Sequence, residues 1–236
     1  APVLVALMTL TANAQESSIE TFRTWAPTPP MGWNSWDCYY SSANEKVVMD
    51  NARYIAEKGL DEYGWEYVVL DIRWYANHPS LGGGNYNQRG DQDCVLDEYG
   101  RYLPSPSRFP SCMVDGVNQG FEAMADSIHR MGLKFGIHIM RGLPKYILNI
   151  PSAYKLKGSE STPWSQVYTN TTPECTWLKD NLTIQNNEAG QLYYNSIFDL
   201  YAEWGVDFIK IDDLSRPFHT DEIRMIRKAI DQTGRP

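Results

Sequence analysis

The run Val206-Asp207-Phe208-Ile209-Lys210-Ile211-Asp212-Asp213 dictates a short buried strand that ends in carboxylates. Side chains alternate along a strand, so Phe208, Lys210 and Asp212 share one face while Ile209 and Ile211 share the other. An apolar face for covering helices, with charge at the strand's C-terminal end, is the pattern of an active-site strand in a (β/α) barrel. Lys210 stands two residues before Asp212 on the same side, where it would hold that aspartate ionised in a partly dry cleft. An ionised, fixed carboxylate is suited to nucleophilic attack of the kind used in retaining glycoside hydrolysis.

The rest of the chain alternates strand-like and helix-like segments, which predicts an α/β fold with a parallel sheet. Strands are expected over residues 31–36, 67–72, 134–140 and 207–212. Helices are expected over residues 45–58, 116–131, 189–204 and 221–232, the first opened by a capping box at Ser42-Ala43-Asn44-Glu45 and stopped by Gly59. Two long excursions, residues 75–112 and 142–188, interrupt the alternation and read as functional loops. Gly82-Gly83-Gly84 lacks the strand–turn–helix context of a phosphate loop and reads as a lid or hinge. A (β/α)8 TIM barrel needs eight such units; this chain supplies about the first four. The expected organisation is therefore a signal-peptide remnant at 1–14, a lead-in at 15–28 and a partial barrel over 29–236. Such a half-barrel exposes two sheet edges, so self-association as a homo-oligomer is expected.

Composition narrows the function. A net charge of −8 with no basic stripe argues against nucleic-acid binding. The uncharged run from residue 2 to 11 is too short to span a bilayer, and Ala12-Asn13-Ala14 has the small-x-small form of a signal-peptidase site. Export to a secreted or periplasmic location is expected. Four cysteines (Cys38, Cys94, Cys112, Cys175) then allow up to two disulfides in any of three pairings. No C-x-x-C pair exists and the four histidines are scattered, so neither a metal site nor a cofactor is expected. Asn170-Thr171-Thr172 and Asn181-Leu182-Thr183 match glycosylation sequons.

Polar residues recur at the inward positions of the other strands. Val69, Asp71 and Arg73 share a side of the second; Gly136, His138 and Met140 oppose Ile137 and Ile139 in the third. Asp71, Lys210 and Asp212 are expected to share one pocket. His138 fits that pocket and a hydrogen-bonded core position equally well. Asp213 is expected to face outward or into a loop, in a helix-side or capping role. Trp33 and Trp36 are aromatic candidates for a sugar-stacking floor, with packing in the barrel end as the alternative for both, more so for Trp36.

Several motifs resemble the melibiase-type α-galactosidases of glycoside hydrolase family 27. They are Pro29-Pro30-Met31-Gly32-Trp33-Asn34-Ser35-Trp36, the run from Gly100 to Pro110, Gly132-Leu133-Lys134-Phe135-Gly136-Ile137, and Trp204 to Asp212. The resemblance implies a retaining exo-glycosidase acting on terminal α-D-galactosides, with Asp212 as nucleophile. Lys210 and Asp71 would contact sugar hydroxyls, and Trp33 would form part of the sugar floor. Its acid/base would come from a later strand beyond residue 236, so these 236 residues alone are not expected to catalyse.

Four positions depart from that family's pattern. Asp71 is followed by Ile72 and Arg73 rather than by a second aspartate and a cysteine. Met140 stands where an acidic residue is usual, and Leu214 where a cysteine is frequent. Arg73 and Arg141 are candidate replacements for a lost polar contact. The alternatives left open are a glycosidase acting on α-N-acetylgalactosamine or β-L-arabinopyranose, and a non-catalytic carbohydrate-binding protein.

Overall fold

The structure, a computed structural model, describes residues 27–78, 94–169, 175 and 177–235. The leader-like residues 1–14, Gly82-Gly83-Gly84 and the sequon at Asn170 lie outside them. Strands β1 (Met31–Asn34), β2 (Trp65–Leu70), β3 (Lys134–Met140) and β4 (Phe208–Asp212) form one parallel sheet whose spatial order is the chain order. Helices α1 (Glu45–Glu57), α2 (Glu122–His129), α3 (Glu188–Glu203) and α4 (Thr220–Gln232) follow them in turn. A doubly wound open sheet would reverse its strand order at a switch point. This sheet does not.

Register sorts the sheet into two chemically distinct faces. Val68 lies beside Phe135, Leu70 beside Ile137, Ile137 beside Ile209 and Ile139 beside Ile211. That side joins Val48, Ala52 and Ile55 of α1, Met124 and Ile128 of α2 and Ile226 of α4 in one apolar cluster. Each such buried aliphatic side chain contributes about 1.5–3 kcal/mol. On the opposite face His138 pairs with Lys210 and Met140 with Asp212, so the polar positions of neighbouring strands lie level with one another. Gly136 belongs to this face; a Cβ there would meet Val69 Cγ2 at 3.0 Å and the Phe208 carbonyl at 3.1 Å.

The boundaries differ from expectation where local turn chemistry outcompetes periodicity. Helix α2 is shorter than residues 116–131 because Met113–Val114 and Val117–Asn118 pair as a hairpin. Asp115 and Gly116, both at positive φ (49° and 81°), form its two-residue turn. An Asp-Gly pair between apolar residues is the sequence signature of that turn. At α1 the cap is Asn44, whose side chain accepts from Val47 N at 3.0 Å. Ser42 instead donates to the Tyr39 carbonyl, so the expected capping box does not form. The second excursion is ordered as a three-stranded antiparallel sheet of Leu143–Pro144, Asn181–Ile184 and Tyr168–Thr169.

The expected disulfides are not formed. No disulfide joins Cys38, Cys94, Cys112 and Cys175, which differ in burial. Cys112 is buried, 3.8 Å from the Pro104 carbonyl, Cys175 packs with Ile72 and Met140, and Cys38 is exposed. The sequon residue Asn181 lies in a strand, its side chain accepting from the Tyr102 hydroxyl at 3.0 Å. Among the described residues no helix is long and apolar enough to cross a membrane.

Candidate active site

The C-terminal ends of the four strands bring five polar side chains together. Lys210 Nζ of β4 lies 2.9 Å from Asp71 Oδ2, just past the end of β2. Asn34 Nδ2 of β1 donates to the same oxygen at 3.0 Å, and Ile72 N donates to Asp71 Oδ1 at 2.8 Å. The buried Ser35 hydroxyl accepts from Asp71 N at 2.9 Å and fixes the backbone beneath. His138 Nε2 of β3 lies 3.0 Å from Asp212 Oδ2 of β4. Asp71 and His138 are almost wholly buried, whereas the Asp212 and Lys210 side chains are 40% and 38% exposed. The two more accessible groups are therefore the ones an incoming ligand meets.

Electrostatics keep both carboxylates charged. Burial alone would push Asp71 up, but the neighbouring imidazole and the donors Ile72 N, Lys210 and Asn34 outweigh it and hold its carboxyl below the ordinary range. Asp212 is lowered chiefly by the hydrogen bond from His138, with burial opposing and Lys210 assisting. Every donor on Asp71 favours the ionised form, so it is not a proton source.

A folded-state value below the unfolded one means that the folded chain binds these protons more weakly. The stabilisation is thus present above the unfolded value, about pH 4, and lost as pH falls through the folded values. A thermal midpoint that is level above about pH 5 and falls below about pH 4 is expected, with the acid-side slope reduced in Asp71→Asn. A midpoint that rises on acidification would contradict the assignment.

Two of the sequence candidates lie elsewhere. Arg73 does not share the face of Asp71: β2 ends at Leu70, and Arg73 at φ 64° breaks the alternation. Its guanidinium is buried against Asp180, 3.0 Å away, which also accepts from the Tyr75 hydroxyl at 2.6 Å. Trp33 sits on the helix-facing side beside Val68, edge-on to Tyr39 and against the apolar core, not over the carboxylates. Trp36 instead packs on a small apolar group of Ile72, Met140, Cys175 and Leu178, adjoining Asp71 in sequence through Ile72. Arg141 is likewise engaged, pairing with Asp213 and Glu222 at 2.9 Å each. Asp213 lies off the carboxylate cluster, paired with the arginine that also holds Glu222 of α4.

Asn34 was not among the expected site residues. The signal was present: it follows Gly32 by two and so falls on the inward face. A cleft of about 690 Å³ lies apart from the carboxylates, lined by Thr183, Gln185, Asn187, Phe218 and Glu222 among others.

No protein-family model matches the chain. It is 44% identical to a GH27 β-L-arabinopyranosidase of Geobacillus stearothermophilus, solved in complex with arabinose, with a TM-score of 0.80 over 90% of this chain and 48% of the other. A putative α-N-acetylgalactosaminidase of Bacillus halodurans is also 44% identical, with a TM-score of 0.76 over 89% of this chain and 47% of its own. The α-galactosidase of Cyamopsis tetragonoloba is 33% identical over 211 residues, 89% of this chain and 36% of that protein. The chain thus spans about half the length of the structures it matches, and less of the plant enzyme.

Proposed function

The chain belongs to glycoside hydrolase family 27, and on that premise we propose that it carries the nucleophile half of a retaining exo-glycosidase for terminal α-D-galactosides. Its sheet would be the first part of a (β/α)8 barrel formed by residues 29–236 and further strands. The observation that carries this reading is the convergence of Asp71, His138, Lys210 and Asp212 at the C-terminal ends of β2, β3 and β4, with Lys210 on Asp71 and His138 on Asp212. Asp212, half exposed and charged, attacks the anomeric carbon and forms a glycosyl ester. Asp71 and Lys210 bind sugar hydroxyls. A second carboxylic acid protonates the leaving oxygen and then activates water. Asp71 cannot serve, because Lys210, Asn34 and Ile72 N hold it ionised. That acid/base would come from the portion of the relatives that the chain does not span. Export is supported by the apolar run before Ala12-Asn13-Ala14.

One observation favours a second reading of the sugar. β-L-Arabinopyranose is the α-D-galactopyranose ring without its exocyclic hydroxymethyl group. A site that accepts the hydroxyl of that group needs a polar partner. Beside Asp71 the chain offers Ile72 and Met140, both buried and apolar. The arabinopyranosidase is also among the 44% identical structures.

The full-length protein assayed on p-nitrophenyl α-D-galactopyranoside, β-L-arabinopyranoside and α-N-acetylgalactosaminide separates these readings. Hydrolysis of the first with retention supports the galactosidase. A preference for the arabinopyranoside of about tenfold or more supports the second reading, since one lost group in an apolar pocket is worth that much. Binding of these sugars without turnover would replace both with a carbohydrate-binding protein.

A further inference from the structure

His138 was a candidate for the substrate pocket and for a hydrogen-bonded core position alike, and its contacts point to a role that joins the two. Its side chain is 1% exposed, and Nε2 lies 3.0 Å from Asp212 Oδ2. The other ring nitrogen, Nδ1, is buried and has no hydrogen-bond partner. A hydrogen placed on Nδ1 would be stranded without an acceptor, which costs more than an unused lone pair. The tautomer that satisfies the ring therefore carries its hydrogen on Nε2 and donates it to Asp212. The strand beneath the ring is anchored in the core, the backbone carbonyl of His138 accepting from Trp74 Nε1 at 2.8 Å, and the side chain is buried. Lys210 beside His138 is directed to Asp71 and does not bond Asp212. Among the described residues the carboxylate of Asp212 accepts no other hydrogen bond, so Oδ1 is uncommitted.

We infer that His138 is a positioning residue: by holding Oδ2 it orients the Asp212 carboxylate and leaves Oδ1 as the oxygen that attacks. This rests on the glycosidase reading above. As Oδ1 bonds to the anomeric carbon, the bond from that carbon to the leaving oxygen breaks. The leaving oxygen takes its proton from the second carboxylic acid. Water then cleaves the ester at the anomeric carbon, returning one proton to that acid's conjugate base and releasing Asp212 as the carboxylate. Throughout, His138 keeps its hydrogen on Nε2 and neither gives nor receives a proton.

The test uses the full-length protein and its His138→Leu and His138→Gln variants. Glutamine presents a side-chain N–H near the position of Nε2, whereas leucine presents none. A hydrogen bond to a charged group is worth enough that losing it lowers kcat/KM by about ten- to a hundredfold. The same loss moves the acid limb of the kcat/KM profile upward by about one pH unit or more, because Asp212 becomes easier to protonate. His138→Gln is expected to recover most of the rate and to return the limb toward wild type. A 2-deoxy-2-fluoro-galactosyl fluoride, mapped by peptide mass, reports the ester on Asp212 separately. Slow labelling in His138→Leu with near-normal labelling in His138→Gln supports the inference. Labelling of Asp212 at wild-type rate in His138→Leu, or an unmoved acid limb, overturns the positioning role while leaving the nucleophile in place. Wild-type protein that turns over substrate but labels elsewhere overturns the nucleophile assignment, and the positioning role with it.

Discussion

Asp212→Ala lowers kcat/KM of the full-length protein by about 10⁴ or more, the scale seen when a covalent nucleophile is deleted. Stability is expected to change little, because the Asp212 side chain is 40% exposed and water can replace it as acceptor for His138 Nε2. A large loss of rate with an unchanged thermal midpoint separates chemistry from folding. The small vacancy left by the carboxylate also invites chemical rescue. With an activated substrate, azide should restore turnover and leave a glycosyl azide of inverted configuration, since it enters from the side that Asp212 occupied. A loss below about tenfold would place the nucleophile elsewhere.

The largest effect on stability is expected at Arg141. Its guanidinium is 4% exposed and pairs with Asp213 and Glu222 at 2.9 Å each, while also donating to Thr183 Oγ1 at 2.7 Å and to the Asp213 carbonyl at 2.8 Å. Glu222 accepts in addition from the Tyr194 hydroxyl and from Ile184 N. One arginine thus ties the ends of β3 and β4 to α3, α4 and the Asn181–Ile184 strand. Arg141→Met leaves the buried Glu222 and the largely buried Asp213 without their arginine countercharge, a loss of about 3–5 kcal/mol. Against a total stability of about 5–15 kcal/mol that is severe, and a fall in thermal midpoint of about 10 °C is expected. Glu222→Gln in the same chain removes one stranded charge and should recover part of the loss, a coupling that a double-mutant cycle measures. A loss under about 1 kcal/mol in Arg141→Met would mean that the network contributes little.

The parallel sheet and the inward set of Asp71, His138, Lys210 and Asp212 were legible because strand alternation is rigid. One residue's face fixes those two before and after it. The same rule reached its limit at Arg73. Alternation holds only while the backbone stays extended, and φ 64° two residues past Asp71 redirects that side chain to Asp180. Trp33 shows that aromatic character does not choose a face. Its parity places it with Val68 on the helix side, and Asn34 takes the inward position. The hairpin at 113–118 was hidden by an apolar pattern that suits a helix equally well, although Asp115-Gly116 held the deciding cue. Long-range pairs such as Arg141–Glu222 leave no local signature, because they depend on how a strand end and a helix 81 residues apart in sequence return to one another.

The most direct measurement is the site of covalent capture. Full-length protein, inactivated with 2-deoxy-2-fluoro-galactosyl fluoride, is digested and its peptides sequenced by mass spectrometry. One sugar ester on the peptide bearing Asp212 is expected, released as turnover resumes. An adduct on Asp71 or on any other carboxylate, formed by an enzyme that hydrolyses the parent glycoside, would contradict the account.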